Sequence, residues 1–193
     1  MKTFSIALWA CLAWTAASAQ SPTSAPVALP SSPLTPIASL DIPRYMGTWF
    51  EIAKYPNKFQ KKCASDTQAD YRLQPGGTVQ VINRCRKENA ETDEAIGEAR
   101  QTGVTTSPKL KVRFAPAWLS WLPSVWGDYW VIDLDSDYQL VAVSEPKRAY
   151  LWILSRKPSV SADAYAALLG RLKLQGFEMD RLELTRHSSP IQP

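Results

Sequence analysis

Between Gly47 and Arg156 the sequence is almost entirely short alternating runs divided by turn residues. "KLKVRF" shows the pattern plainly: Lys109, Lys111 and Arg113 alternate with Leu110, Val112 and Phe114, so one face meets water and the other is apolar. "QADYRLQPGGTVQVINRC" is two such runs around Pro75-Gly76-Gly77, a hairpin with a glycine turn. Ala69, Tyr71 and Leu73 then share one face, and Asp70 and Arg72 the other. "GTWFEIAKY" precedes the hairpin; "EAIGEARQTG" follows it, with the small residues Ala95, Gly97 and Ala99 on one face. "DYWVIDLD", "YQLVAVS" and "AYLWILSR" complete the series, separated by "SD" and "EPKR". Eight successive strands with short connections leave two edges to protect, and closure into an up-and-down barrel protects both. Composition alone does not separate that barrel from a two-sheet sandwich.

After the strands, "SADAYAALLGRLKLQGF" predicts one helix. Ser161 is its N-cap, Tyr165, Leu168, Leu169 and Leu172 form the apolar stripe, and Gly176 ends it. The expected fold class is therefore all-β: an eight-stranded antiparallel up-and-down β-barrel with one C-terminal α-helix packed outside.

The N-terminus reads as a targeting segment. Lys2, the apolar run "FSIALWACLAWTAA" and Ala17-x-Ala19 describe a secretory signal peptide over 1–19, too short for a membrane-spanning helix. An alternative is a lipoprotein signal, with "LWAC" placing a lipid anchor at Cys11. Both imply export, to the periplasm or the outer membrane. Residues 20–39 carry five prolines among Ser, Thr and Ala with no charge, so they are expected to form an extended spacer. The folded domain is expected over 40–186, with a flexible tail over 187–193. Net charge is +4, one less once Lys2 is removed, too mild to imply nucleic acid. Loss of Cys11 leaves Cys63 and Cys85 as an even pair in an oxidising compartment, and counting outward from the glycine turn brings them to facing positions. A disulfide follows from both arguments.

Strand parity nominates an interior of Ala69, Tyr71, Val79, Val81, Gly97, Val112, Phe114, Tyr129, Val141, Tyr150 and Trp152. This wall is apolar and aromatic, with three tyrosine hydroxyls and no net charge, which suits an acyl chain with its polar end near a rim. A filled core is the plainer alternative; Ala69 and Gly97 are small enough to argue against it. In an up-and-down barrel the start of the first strand and the end of the eighth lie together. Trp49 is expected to cap the interior there, with the Arg156 guanidinium over its face, a contact worth about 1–2 kcal/mol.

"GTWFEIAKYPNKFQ" with Gly47 and Trp49, "GDYWVIDLDSDY", and "AYLWILSRKP" with Arg156 together resemble the three signatures of the lipocalins, in order, over about 40–185. More narrowly they are similar to the branch that holds bacterial outer-membrane lipocalins and apolipoprotein D. The second signature begins Gly127-Asp128-Tyr129, where many lipocalins have Thr-Asp-Tyr. The resemblance implies that the Trp49–Arg156 end is closed, and that the ligand is a fatty acid or lysophospholipid.

Strand order then puts the uncharged run "FAPAWLSWLPSVW", which joins strands five and six, at the open mouth. Trp118 and Trp121 are expected at this rim, beside connections carrying Lys58, Lys61, Lys62, Arg86, Lys87, Lys147 and Arg148. Two expectations compete: the tryptophans pack over the barrel, or they meet a membrane surface or a second copy in a homodimer. Enzymatic activity on a lipid or isoprenoid is an alternative class, as is a structural envelope protein. Against an enzyme, the cysteines look paired and the single histidine, His187, falls in the tail beyond the expected fold. No cofactor or metal is implied. Inward Glu51 is read as a polar partner near the closed end.

Overall fold

The computed structural model describes residues 32–188. The expected signal over 1–19 with Cys11, the spacer up to residue 31, and residues 189–193 lie outside the described residues.

The eight expected strands form: β1 Gly47–Lys54, β2 Ser65–Leu73, β3 Val79–Arg86, β4 Thr92–Gln101, β5 Lys109–Arg113, β6 Gly127–Leu134, β7 Leu140–Ser144 and β8 Leu151–Ser155. Each pairs antiparallel with the next, and β8 pairs back onto β1 with Phe50 opposite Ser155. That last pairing closes the ring and decides for a barrel over a sandwich. Closure between β1 and β2 is partial. Their register runs only from Gly47↔Tyr71 to Phe50↔Gln68. A bulge between Glu51 and Ala53 follows, and a short ninth strand, β9 Glu183–Leu184, pairs with Ala53 and Lys54 instead. Nothing in the sequence signals β9, because two exposed residues carry no period.

The helix appears as α2, Ala162–Leu174, after a four-residue α1, Ile42–Tyr45. The Ser161 side chain accepts from Ala164 N at 3.3 Å, and Asp163 near the start with Arg171 and Lys173 near the end complement the helix dipole. Leu168 and Leu172 are fully buried against Ile132, Ala142 and Ile153, the outward faces of β6, β7 and β8. Each such leucine contributes about 1.5–3 kcal/mol. Arg171 makes a two-pronged pair with Asp133 at 2.7 and 2.8 Å.

The chain before β1 is part of the domain from further back than residue 40. Leu34 is 5% exposed in the helix layer, and Ile37 N donates to Val131 O at 3.0 Å. Leu40, Ile42 and Tyr45 join the barrel interior from the closed end. A few spaced apolar residues sufficed to pack the last part of a stretch that composition marked as spacer.

Candidate ligand site in the barrel

The site is built upward from the closed end. Trp49 is fully buried, and its Nε1 donates to Tyr45 O at 2.9 Å. The Arg156 guanidinium carbon lies 3.9 Å from the ring centre. Gly47 takes a left-handed φ of 97°, and a Cβ there would come within 3.2 Å of Arg156 Nη1. Glycine thus meets the backbone demand and leaves room for the guanidinium. Next to this pair the Tyr45 and Tyr129 hydroxyls are 2.7 Å apart, and those of Tyr71 and Tyr129 3.1 Å apart. Burial penalises the phenolate and pushes all three phenols up, Tyr71 to about 12. With Leu40, Leu110 and Val131 packed around them, this half of the barrel is filled.

The wall toward the mouth is more open. Ala69, opposite Trp49, and Val79, Val81 and Val141 are buried in the interior with the filled half, whereas Gly97, Val112, Tyr150 and Trp152 are only half-buried, and Phe114 is 43% exposed. A Cβ on Gly97 would stand 2.7 Å from Phe114 Cδ1 and 2.6 Å from Arg113 O, so the ring rests on bare backbone. Tyr150 and Trp152 stack at 5.7 Å. Solvent therefore reaches an aromatic inner wall near the mouth. Beyond the residues that parity nominates from the sequence, Ala99, Val143 and Leu154 also belong to the interior cluster.

Residues of the β1–β2 connection complete the site. Phe59 lies 5.5 Å from Tyr150. Gln60 Oε1 accepts from Trp152 Nε1 at 2.9 Å, and its Nε2 donates to Glu51 Oε2 at 2.6 Å. No local period marks such side chains in an irregular loop, so nothing in the sequence points to them. Glu51 is accordingly tied to the mouth connection rather than to the closed end. Thr185 Oγ1 donates to its other oxygen at 2.6 Å. Burial raises its carboxyl, against the opposing pull of these two hydrogen bonds. His187 is likewise packed on the barrel: Nε2 is 2.7 Å from Glu51 O, and the ring meets Phe50 edge-on at 5.8 Å. The C-terminal segment reaches it by filling the seam that β1 and β2 leave open.

At the rim, the Cys63–Cys85 disulfide fastens the β1–β2 connection to β3. The tryptophan run divides. Trp118 and Trp121 are each 74% exposed, whereas Trp126 is buried with Arg100 at 4.1 Å and Arg113 at 5.2 Å from its ring centre. Its Nε1 donates to Ser120 O at 2.8 Å. Arg113 points outward as parity requires, yet it is not in water: it is 5% exposed beneath Trp126, with Glu98 at 3.2 Å. Arg148 also departs from expectation. It donates to Gln175 O at 2.8 Å and Ser32 O at 3.1 Å, bound to the end of α2 instead of standing free on the rim. Lys147 beside it is exposed.

A family model described as a lipocalin-like domain matches residues 40–187. The chain is 38% identical over 154 residues to temperature-induced lipocalin-1 of Arabidopsis thaliana, covering 79% of this chain and 82% of that protein. It is 33% identical over 153 residues to outer membrane lipoprotein Blc of Escherichia coli K12, again covering 79% and 82%. Among solved structures, insecticyanin of the tobacco hornworm Manduca sexta is similar in fold, with a TM-score of 0.62 at 17% identity over 80% of this chain and 85% of that one. A barrel closed by Trp49 and Arg156, open at the opposite mouth and matched by these relatives over nearly all its described length, belongs to the lipocalin family.

Proposed function

We propose that the chain binds one single-chain acyl lipid, a fatty acid or a lysophospholipid, and carries or stores it in the cell envelope after export. Lipocalins bind small hydrophobic ligands. The finer reading rests on one observation: the lower barrel is filled, while Phe114, Val112, Tyr150 and Trp152 line an upper wall that water reaches. Covering such apolar surface is worth about 25 cal/mol per Å². An envelope setting is supported by the signal-like N-terminus and by the Escherichia coli relative, named as an outer membrane lipoprotein. Native mass spectrometry of protein purified from its own host is expected to show co-purified lipid, and a fluorescent fatty acid to bind. A lipid-free spectrum together with no binding of the probe refutes the reading.

The exposure of Trp118 and Trp121 supports docking on a membrane surface as a second element of the function. Both stand in an uncharged connection at the mouth, and tryptophan favours the headgroup level of a bilayer. Exposed Lys58, Lys61 and Lys147 on other connections of that end would each add about 1 kcal/mol near anionic lipid.

A further inference from the structure

The seam where β1 parts from β2 carries more than a structural join. Beyond Phe50↔Gln68 the edge of β1 takes β9, and the connection 55–64 folds over the widened gap. Between that connection and β9 lies an open groove of about 460 Å³, lined by Lys54, Lys58, Lys61, Gln60 and Glu183 among others. Gln60 belongs to two surfaces at once: it lines this groove, and it touches Trp152 and Glu51 on the inner wall. One side chain thus stands between the groove and the aromatic half of the barrel.

The charges of the groove are unevenly matched. Lys54 is committed to Glu183 at 2.6 Å. On neighbouring stretches Lys62 pairs with Asp93 at 2.8 Å, and Lys87 with Glu91 at 2.5 Å. Lys58 and Lys61 are exposed, and neither has a carboxylate within 4.0 Å among the described residues. Past Gln60 the inner wall presents the Glu51 carboxyl, which offers an anion no counter-charge. An acyl ligand with an anionic end therefore meets favourable charge just where its chain would leave the apolar wall. We infer that Lys58 and Lys61 form a subsite for the anionic head group, carboxylate or phosphate ester, of a ligand whose chain lies past Gln60 in the barrel. This rests on the acyl-binding reading above, and it adds a preference that reading does not contain: anionic over neutral heads on one and the same chain.

Calorimetric titration with three ligands of identical chain separates the two. Wild-type protein is expected to bind oleate and oleoyl-lysophosphatidate more tightly than mono-oleoylglycerol. The double variant Lys58→Glu, Lys61→Glu should lose about tenfold or more for both anionic ligands and stay within about twofold for mono-oleoylglycerol. Lys87→Glu, whose ammonium belongs to Glu91, should leave all three unchanged. Equal losses for the neutral and anionic ligands, or no loss at all, overturn the subsite. So does a variant that loses binding of inorganic phosphate alone while the acyl ligands are unaffected. Failure of the wild type to bind even mono-oleoylglycerol overturns the acyl-binding reading itself.

Discussion

The Arg156 guanidinium, 3.9 Å from the centre of the Trp49 ring, also donates to the carbonyl oxygens of Thr48 at 3.0 Å, Arg44 at 2.9 Å and Tyr138 at 3.3 Å. One side chain thus ties the entry to β1, β1 itself and the β6–β7 turn. Arg156→Ala leaves those carbonyls and the ring uncovered together, and is expected to cost about 3–5 kcal/mol. Arg156→Lys keeps the charge but not the planar fork, and should cost about 1–2 kcal/mol. Urea unfolding midpoints at unchanged slope measure both. Equal losses for the two variants would show that the fork is immaterial.

The buried tyrosine cluster predicts alkaline instability. Tyr71 is pushed up to about 12 in the folded chain, and Tyr45 and Tyr129 are raised well above 10.0 by the same burial. Between about pH 10 and 12 the unfolded chain has released protons that the folded chain still holds, so stability falls as pH rises. The slope is about 1.4 kcal/mol per pH unit for each tyrosine, and the contribution is intact below pH 10. Tyr71→Phe should reduce that slope by one tyrosine's share. An unchanged slope in denaturant titrations across this window would count against the cluster.

Glu51 predicts the reverse of the usual carboxylate behaviour. Burial raises its carboxyl from 4.5, so above that pH the unfolded chain ionises first and folding stability declines as pH rises. Glu51→Gln keeps an oxygen for Gln60 or Thr185 and removes the ionisation. The variant is expected to be at least as stable as wild type at pH 7, with its advantage gone below pH 4. A variant markedly less stable at pH 7 would show that the charged form is the one the fold favours.

How much of this was legible in the sequence follows from what each residue depends on. "KLKVRF" and the hairpin around Pro75-Gly76-Gly77 declare strands because alternation is local, whereas closure depends on the long-range pairing of β8 with β1 that no local pattern carries. Trp49 and Arg156 could be joined across more than a hundred residues because barrel topology brings the first strand's start to the last strand's end. Gln60, Thr185 and His187 could not be foreseen. Each acts from an irregular segment that runs along the gap where the β1–β2 register ends at Phe50↔Gln68. Alternation gives the face of Arg113 but not its burial, since the residue that covers it, Trp126, comes from a loop without period.

The tryptophan run makes the sharpest test because its members differ so much in environment. Trp118 and Trp121 are each 74% exposed, so replacing both with serine should change stability by no more than about 0.5 kcal/mol. If the loop meets membrane, the same variant should bind vesicles of mixed neutral and anionic lipid at least about tenfold more weakly, with fatty-acid binding intact. Trp126→Ala should behave oppositely. It removes the ring lying against Arg100 and Arg113 and the bond to Ser120 O, leaving the Arg113 charge buried beside Glu98 without its cover. A loss of about 3 kcal/mol or more is expected from the emptied volume and the stranded guanidinium. Chemical unfolding and vesicle sedimentation on the same two variants distinguish a docking element from a plug. If the double serine variant unfolds readily and sediments as wild type does, the exposed tryptophans serve the fold and not the membrane.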